Sequence, residues 1–155
     1  MSIGINITDD ARIELGDSRD KLIKLLDGVK YSIPYDKENE NGVKSTLVQI
    51  EDLGMGIQLT QDKVTYIRSD NNKYSNVDNI QDIKKDPIND VKRITSLLEE
   101  KFTPERSAIK IENLNINTMQ LAVIITYKKQ QARAVVQRDA FGDVYVNTLR
   151  SVDGK

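Results

Sequence analysis

The chain has 155 residues, of which 38% are hydrophobic and 30% are charged, and 23 basic and 24 acidic side chains give a net charge of −1. It contains no cysteine and no histidine, which excludes disulfides, thiol catalysis, imidazole metal ligands and the Ser-His-Asp triad. The balanced charge provides no overall attraction to nucleic acid or to an anionic membrane.

The sequence shows no targeting or membrane signal. No apolar run approaches the ~20 residues of a transmembrane helix, and the opening residues MSIGINITDD lack the basic and apolar regions of a secretory signal. We therefore expect a soluble, cytoplasmic protein, and the absence of cysteine suits a reducing compartment.

The first residues predict a strand and then a short helix. Residues 3–7 alternate apolar and polar side chains, and residues 11–15 extend or repeat that strand. In the stretch IELGDSRDKLIKLLDG, Gly16 lets the chain turn and Asp17 is placed as the helix N-cap. An i, i+3, i+4 apolar stripe follows, formed by Leu22, Leu25 and Leu26.

Four strands are predicted after this helix, at residues 29–35, 44–51, 57–60 and 63–68. Val29, Tyr31 and Ile33 alternate in the first, and Gln61 and Asp62 are predicted to form a tight turn between the last two. The polar stretch DKENENG, residues 36–42, is interpreted as a hairpin loop. Its alternating acids suggest a calcium loop, but the sixth position is Asn41 and the twelfth is Leu47, so it fails the EF-hand pattern.

The second half repeats this order of elements. Residues 69–86 are rich in Asn, Asp and Ser and are interpreted as a linker or long loop. Asp86-Pro87 is a strong helix start. The helix has a continuous apolar stripe, formed by Ile88, Val91, Ile94, Leu97, Leu98 and Phe102. Four strands are predicted after it, at residues 108–112, 118–127, 132–137 and 144–149, with KKQQ as the turn after the second. The second strand alternates, with one face formed by Met119, Leu121, Val123, Ile125 and Tyr127.

The predicted fold class is α+β, with two similar units that each pack one helix on a three- to four-stranded antiparallel meander. The predicted division is a first unit at 1–70, a linker at 71–86 and a second unit at 87–155, or a single compact domain. The two sheets could meet edge to edge or face to face.

The opening stretch and the later GMGIQLTQDKVTYIRSDN together resemble the tandem helix-plus-four-strand modules of beta-lactamase-inhibitor-like proteins and small outer-membrane-assembly lipoproteins. Small Gram-positive immunity-type proteins look similar. The resemblance covers about residues 13–70 and carries no diagnostic motif. It implies a protein-binding module whose sheet grips a partner, and it assigns no individual residue.

Five residues are candidate contacts for such a partner, because tyrosine and arginine are favoured at interface centres. They are Tyr31, Tyr35 and Tyr66 in the first meander, and Arg133 and Arg138 in the basic stretch YKKQQARAVVQR. Half-buried sheet tyrosines and a charge-protected hairpin are the alternative interpretations. The net charge argues against nucleic acid as the ligand of the basic stretch.

These features favour a non-catalytic protein-binding module, in particular an inhibitor or immunity protein that blocks a partner protein with its sheet surface. The alternative is a self-associating structural or assembly protein of phage or bacterial origin. A His-free enzyme or small-ligand binder is the third hypothesis. The sequence indicates no catalytic residue, cofactor or metal site, and it leaves the oligomeric state open.

Overall fold

The computed structural model describes residues 3–7, 11–69, 108–115, 120–138 and 144–152. Its elements in chain order are β1 (Gly4–Asn6), β2 (Arg12–Glu14), α1 (Arg19–Leu25), β3 (Ser32–Glu38), β4 (Lys44–Ile50), a 3₁₀ turn (Glu51–Leu53), β5 (Met55–Thr60), β6 (Lys63–Ser69), β7 (Ala108–Asn115), β8 (Gln120–Tyr127), β9 (Gln130–Arg138) and β10 (Val144–Ser151). In the described ranges, no helix has the length and apolar character needed to cross a membrane.

One antiparallel sheet of eight strands organises the fold, in the order β3-β4-β5-β6-β10-β9-β8-β7. Each half of the chain forms a four-stranded meander, and the two meanders meet through their last strands, β6 and β10. Because β6 and β10 are antiparallel and pair at Ile67 and Leu149, an approximate two-fold axis runs through that pair, perpendicular to the sheet. Hydrogen bonds therefore run without interruption from one meander into the other.

Side chains of the strands alternate between two faces, as in half-buried antiparallel strands, with irregularities in the pairings of β3 with β4, β5 with β6, β7 with β8 and β9 with β10. One cross-strand row runs through six strands and is almost fully buried: Val48, Ile57, Ile67, Leu149, Ala134 and Val123. We call the side of the sheet that carries this row the covered face. Its apolar side chains form one hydrophobic core to which both meanders contribute.

The ribbon of β1 and β2 and the helix α1 contribute to the same core through Ile3, Ile13, Leu22 and Leu26. Of the predicted apolar stripe of the helix, Leu22 and Leu26 are buried in this core and Leu25 is partly buried. Gln130 on β9 holds the ribbon: its side-chain oxygen accepts a hydrogen bond from Ile3 N at 2.8 Å. Its side-chain nitrogen donates to Leu15 O at 3.0 Å.

The N-cap of α1 is Ser18, and the prediction of Asp17 is wrong. The Ser18 hydroxyl accepts a hydrogen bond from Lys21 N at 3.1 Å. Asp17 instead turns its carboxylate back and accepts from Glu14 N at 2.9 Å. The backbone groups of Gly16 and Asp17 bond to Val64 on β6, so this turn fastens the ribbon to the sheet before the helix begins.

The prediction of two helix-on-sheet units is wrong. The described chain is mostly β, with a single eight-stranded sheet, a two-stranded ribbon and one short α-helix. The repeated order of elements indicated the two meanders, but it did not indicate that β6 and β10 pair and make their sheets one. The predicted second helix and the linker at 71–86 lie outside the described residues, and the domain division stays a prediction.

The first strand of the meander begins later than predicted, at Ser32 rather than residue 29. It also ends later, at Glu38 rather than residue 35. Asp36 and Glu38 therefore belong to β3, and the hairpin loop is confined to residues 39–43. Asn39 closes that loop, because its side-chain oxygen accepts from Asn41 N at 2.8 Å and from Val43 N at 3.0 Å. The acids of DKENENG thus lie partly along a strand and not on one loop.

Candidate protein-binding face

The side of the sheet opposite the core carries two cross-strand rows that each pass through all eight strands; we call this side the open face. The first row is Tyr35, Leu47, Gln58, Tyr66, Arg150, Arg133, Ile124 and Lys110. The second row is Ser32, Gln49, Gly56, Arg68, Thr148, Val135, Ala122 and Asn113. Neighbours within a row lie close enough for their side chains to touch.

Burial separates the open face sharply from the covered face. No residue of the two rows is buried, and each is either half-buried or exposed. On the covered face, Val48, Ile57 and Leu149 have 0% exposure. A sheet usually needs one buried face to be stable, and among the described residues the covered face provides it.

Three of the five candidate residues lie in the first row: Tyr35, Tyr66 and Arg133. At the ordinary strand spacing, Tyr35 and Arg133 are roughly 24 Å apart along it. Tyr31 lies just before β3 and lines a shallow depression of about 200 Å³ with Ser32 and Gln49 of the second row. The backbone of Arg138 pairs with Val144, and its side chain lies outside the described residues.

The centre of the first row holds an arginine that sequence reasoning missed. The guanidinium of Arg150 lies over the ring of Tyr66, 4.8 Å from the ring centroid. Stacking of this kind orients the arginine without neutralising it, and Arg150 is exposed. Little in the sequence indicated this role, because the last strand was predicted to end at residue 149, one position before Arg150. Only the pairing of β10 with β6 places Arg150 beside Tyr66.

The open face is basic. The two rows contain four cationic side chains, Arg150, Arg133, Lys110 and Arg68, and no acidic one. Glu112 lies next to the first row and forms an ion pair with Arg133 at 2.9 Å. The chain as a whole is close to neutral, so acidic side chains outside the two rows, Glu112 among them, balance this charge.

The ion pairs near α1 show that balance. Arg19 donates two hydrogen bonds to Asp36, at 3.2 and 3.0 Å, and also approaches Asp62. The Arg19 guanidinium, helped by the hydroxyl of Thr46, holds the pKa of the Asp36 carboxyl below its ordinary value. Lys44 Nζ pairs with Asp62 at 3.2 Å, so two cations face two carboxylates in this cluster, which joins α1 to β3 and β4.

A second matched cluster lies at the start of α1. Lys21 Nζ donates to Asp17 at 3.0 Å and approaches Glu14 at 3.7 Å, and the Asp17 hydrogen bond raises the pKa of Lys21. Arg12 contacts Glu14 from the other side at 3.7 Å, and burial lowers the pKa of Arg12. We interpret both clusters as structural, because each charge faces its opposite.

The basic stretch of β8 and β9 does not form one surface. Tyr127 is 4% exposed and belongs to the core, whereas Arg133 lies on the open face. Lys128 and Lys129 form the turn between the strands. The predicted turn KKQQ is two residues too long, since Gln130 and Gln131 belong to β9.

A depression lies on the open face above Gly56, with a volume of about 170 Å³. Its lining residues are Leu47, Gln49, Gly56, Gln58, Tyr66 and Arg68. A neighbouring depression of about 240 Å³ shares Gln49, Gly56 and Arg68. In the described ranges, no three acidic side chains come together as metal ligands.

Comparison of the chain with protein-family models, with curated proteins and with solved structures gave no match. The resemblance to beta-lactamase-inhibitor-like modules and immunity-type proteins therefore stays a prediction.

Proposed function

We propose that the protein is a non-catalytic protein-binding module that holds a partner protein against the open face of its eight-stranded sheet. The observation that carries the proposal is the first row, in which Tyr35, Tyr66, Arg150 and Arg133 lie on one line and no residue is buried. Blocking the active surface of the partner, as an inhibitor or immunity protein does, is the mode of action that we propose.

The composition of the face supports this proposal. Tyrosine and arginine contribute more binding energy at protein interfaces than most residue types, because each combines a large apolar surface with hydrogen-bonding groups. In the open face Tyr66, Arg150 and Arg133 are consecutive neighbours in the first row. A flat sheet face also holds its side chains rigidly, so little conformational entropy is lost on binding.

The alternative of self-association through sheet edges has less support. At the edge strand β3, Pro34 lies within an irregular stretch between Ser32 and Tyr35. The same strand carries Asp36, Lys37 and Glu38. Proline and charged residues on an edge strand are features that prevent edge-to-edge pairing.

A cytoplasmic location is part of the proposal, since a chain without cysteine suits a reducing compartment.

The test is co-purification of the tagged protein from its native cell, together with measurement of its mass in solution. We expect one stoichiometric partner, and we expect Tyr35→Ala and Arg133→Ala each to weaken its retention. Both side chains are exposed, so these variants should remain folded. Lys24→Glu on the solvent side of α1 is the control and should retain the partner.

Two results would overturn the proposal. One is a partner that all three variants retain equally, because the open face would then not be the contact surface. The other is a homo-oligomer of defined size with no bound partner, which would favour the assembly hypothesis. Circular dichroism of each variant separates lost binding from lost folding.

A further inference from the structure

The tip of the hairpin between β3 and β4 is closed by Asn39 and requires glycine at position 42. The Asn39 side-chain oxygen accepts hydrogen bonds from Asn41 N and Val43 N. The backbone nitrogen of Asn39 donates to Val43 O at 2.9 Å. Gly42 has a φ of 77°, a left-handed conformation that residues with a Cβ atom rarely adopt. The turn therefore needs glycine directly after Asn41.

The Asn41 side chain contributes nothing to this closure. It is exposed, and within the described part of the chain its amide group makes no hydrogen bond. Asn41-Gly42 is also the only Asn-Gly pair in the sequence. An asparagine before glycine loses its side-chain amide more readily than other asparagines, because no Cβ atom hinders the approach of the glycine nitrogen to the asparagine Cγ. The hairpin tip thus combines a labile pair with a side chain that the turn does not use.

We propose that Asn41-Gly42 is a site of spontaneous deamidation in the folded protein, with water as the co-reactant. Gly42 N loses its proton to hydroxide and attacks Asn41 Cγ, so that a bond forms between these two atoms. The bond from Cγ to Nδ2 breaks, and Nδ2 takes up a proton and leaves as ammonia. Water then opens the cyclic succinimide at either carbonyl, adding OH to the carbon and hydrogen to the nitrogen. The products are aspartate and isoaspartate at position 41.

Opening of the turn limits the rate of this reaction. Gly42 N donates to Asn39 O at 3.1 Å, which keeps the attacking nitrogen engaged. Gln61 holds the loop from the side, since its side chain donates to Gly42 O at 3.2 Å and accepts from Lys44 N at 3.3 Å. Residues 36–42 are all exposed, so no apolar burial opposes local opening, which costs less than global unfolding. The folded protein should therefore deamidate here, but more slowly than the unfolded chain.

Deamidation changes both the charge and the backbone of the hairpin. Either product adds one negative charge, next to Glu40, to a chain whose net charge is −1. Isoaspartate also adds a methylene group to the main chain between residues 41 and 42. That insertion lies inside the loop that the bonds between Asn39 and Val43 close. The end of the pairing between β3 and β4 therefore loosens, and the amide of Val43 should lose protection from hydrogen exchange.

The experiment is incubation of the purified protein in ¹⁸O-labelled water at neutral and mildly alkaline pH, followed by tryptic digestion in ordinary water and mass spectrometry. Incorporated ¹⁸O marks deamidation that occurred before digestion. We expect conversion at Asn41, faster at the higher pH, while Asn39 in the same tryptic peptide, residues 38–44, stays intact. Asn39→Ala removes bonds that close the turn and should accelerate conversion by about fivefold or more. Asn41→Gln keeps an amide but disfavours ring closure, so this control should not convert.

The same protein in guanidinium chloride gives the rate of the unfolded chain and tests the protection by the turn without any variant. Three outcomes would overturn the proposal: Asn41 stays intact in the folded protein over a period in which the unfolded chain converts, Asn39 converts as fast as Asn41, or the folded protein converts as fast as the unfolded chain. Asn39→Ala that is folded by circular dichroism and deamidates no faster than the parent protein would contradict the role assigned to turn opening.

Discussion

Two glycines in strands differ in what their surroundings require. Gly4 on β1 lies against the backbone of β2, where an added Cβ would collide with the carbonyl oxygen of Ile13. Gly56 on β5 has room for a side chain. Glycine is thus sterically required at position 4, whereas at position 56 a residue with a side chain would fit.

Replacement by alanine should therefore have opposite effects at these positions. Gly4→Ala forces the ribbon to shift and should destabilise the fold by about 1–3 kcal/mol, whereas Gly56→Ala should stabilise it by about 0.5–1 kcal/mol. Urea unfolding measures both changes, provided that the denaturant dependence of the unfolding free energy is unchanged. A loss of stability in Gly56→Ala would contradict our description of that site.

Asp36 should make the protein sensitive to acid. Its pKa is lowered in the folded state, mainly by the hydrogen bonds from Arg19. The ionised carboxylate therefore stabilises the folded protein at pH values above its pKa in the unfolded chain, about 3.9. This stabilisation is lost as the pH falls through the lower pKa of the folded state. Asp36→Asn should be less stable than the parent protein at neutral pH, and the difference should shrink below about pH 4. Chemical unfolding at several pH values measures the difference in unfolding free energy between the two proteins. A difference that is constant over pH would contradict the lowered pKa of Asp36.

At the scale of elements, one side chain joins both ends of the ribbon to the sheet. Gln130 satisfies the backbone nitrogen of Ile3 and the carbonyl of Leu15 across more than a hundred residues of chain. Gln130→Ala leaves both groups without this partner and should cost about 2–4 kcal/mol. Gln131→Ala, one residue further along β9, is the control, since Gln131 is exposed.

Hydrogen exchange would localise the effect of Gln130→Ala. We expect the amides of β1 and β2 to lose protection first, while those of β4 and β5 change less. Equal loss throughout the sheet would show that the ribbon does not unfold separately.

The sequence predicts individual elements well where a local pattern decides them. The alternation of β8 is found as predicted, with Leu121, Val123, Ile125 and Tyr127 buried on one face. The tight turn at Gln61 and Asp62 is also confirmed, and both residues have positive φ. The start of β3 was misplaced because the alternation of Val29, Tyr31 and Ile33 continues a strand pattern upstream of Ser32, where the strand begins.

At the scale of the whole molecule, local patterns are insufficient. Both meanders were indicated by their strands, but the pairing of Ile67 with Leu149 joins residues more than eighty positions apart, and no local period encodes it. The same applies to the candidate site. Tyr35, Tyr66 and Arg133 were selected one by one, whereas their alignment, and the place of Arg150 among them, follows from register.

The joined sheet predicts that the two meanders unfold together. Leu149 is fully buried beside Ile67 and Ala134, so Leu149→Ala should cost about 2–5 kcal/mol. Hydrogen exchange should then show weaker protection in β4 and β5 as well as in β8 and β9. Loss confined to β8 and β9 would instead indicate two independently stable units and support the division at residues 71–86.

The central position of β10 also matters while the protein is being made. Strand β6 ends at Ser69, and its two neighbours in the sheet are β5 and β10. The second neighbour, β10, ends only at Ser151. At about 5–20 residues per second, a ribosome needs roughly 4–16 s to add the intervening chain. Throughout that interval a nascent first meander presents β6 as an unpaired edge, and edges of this kind promote aggregation. The rate of translation through the second half should therefore influence the yield of folded protein more strongly than the rate through the first.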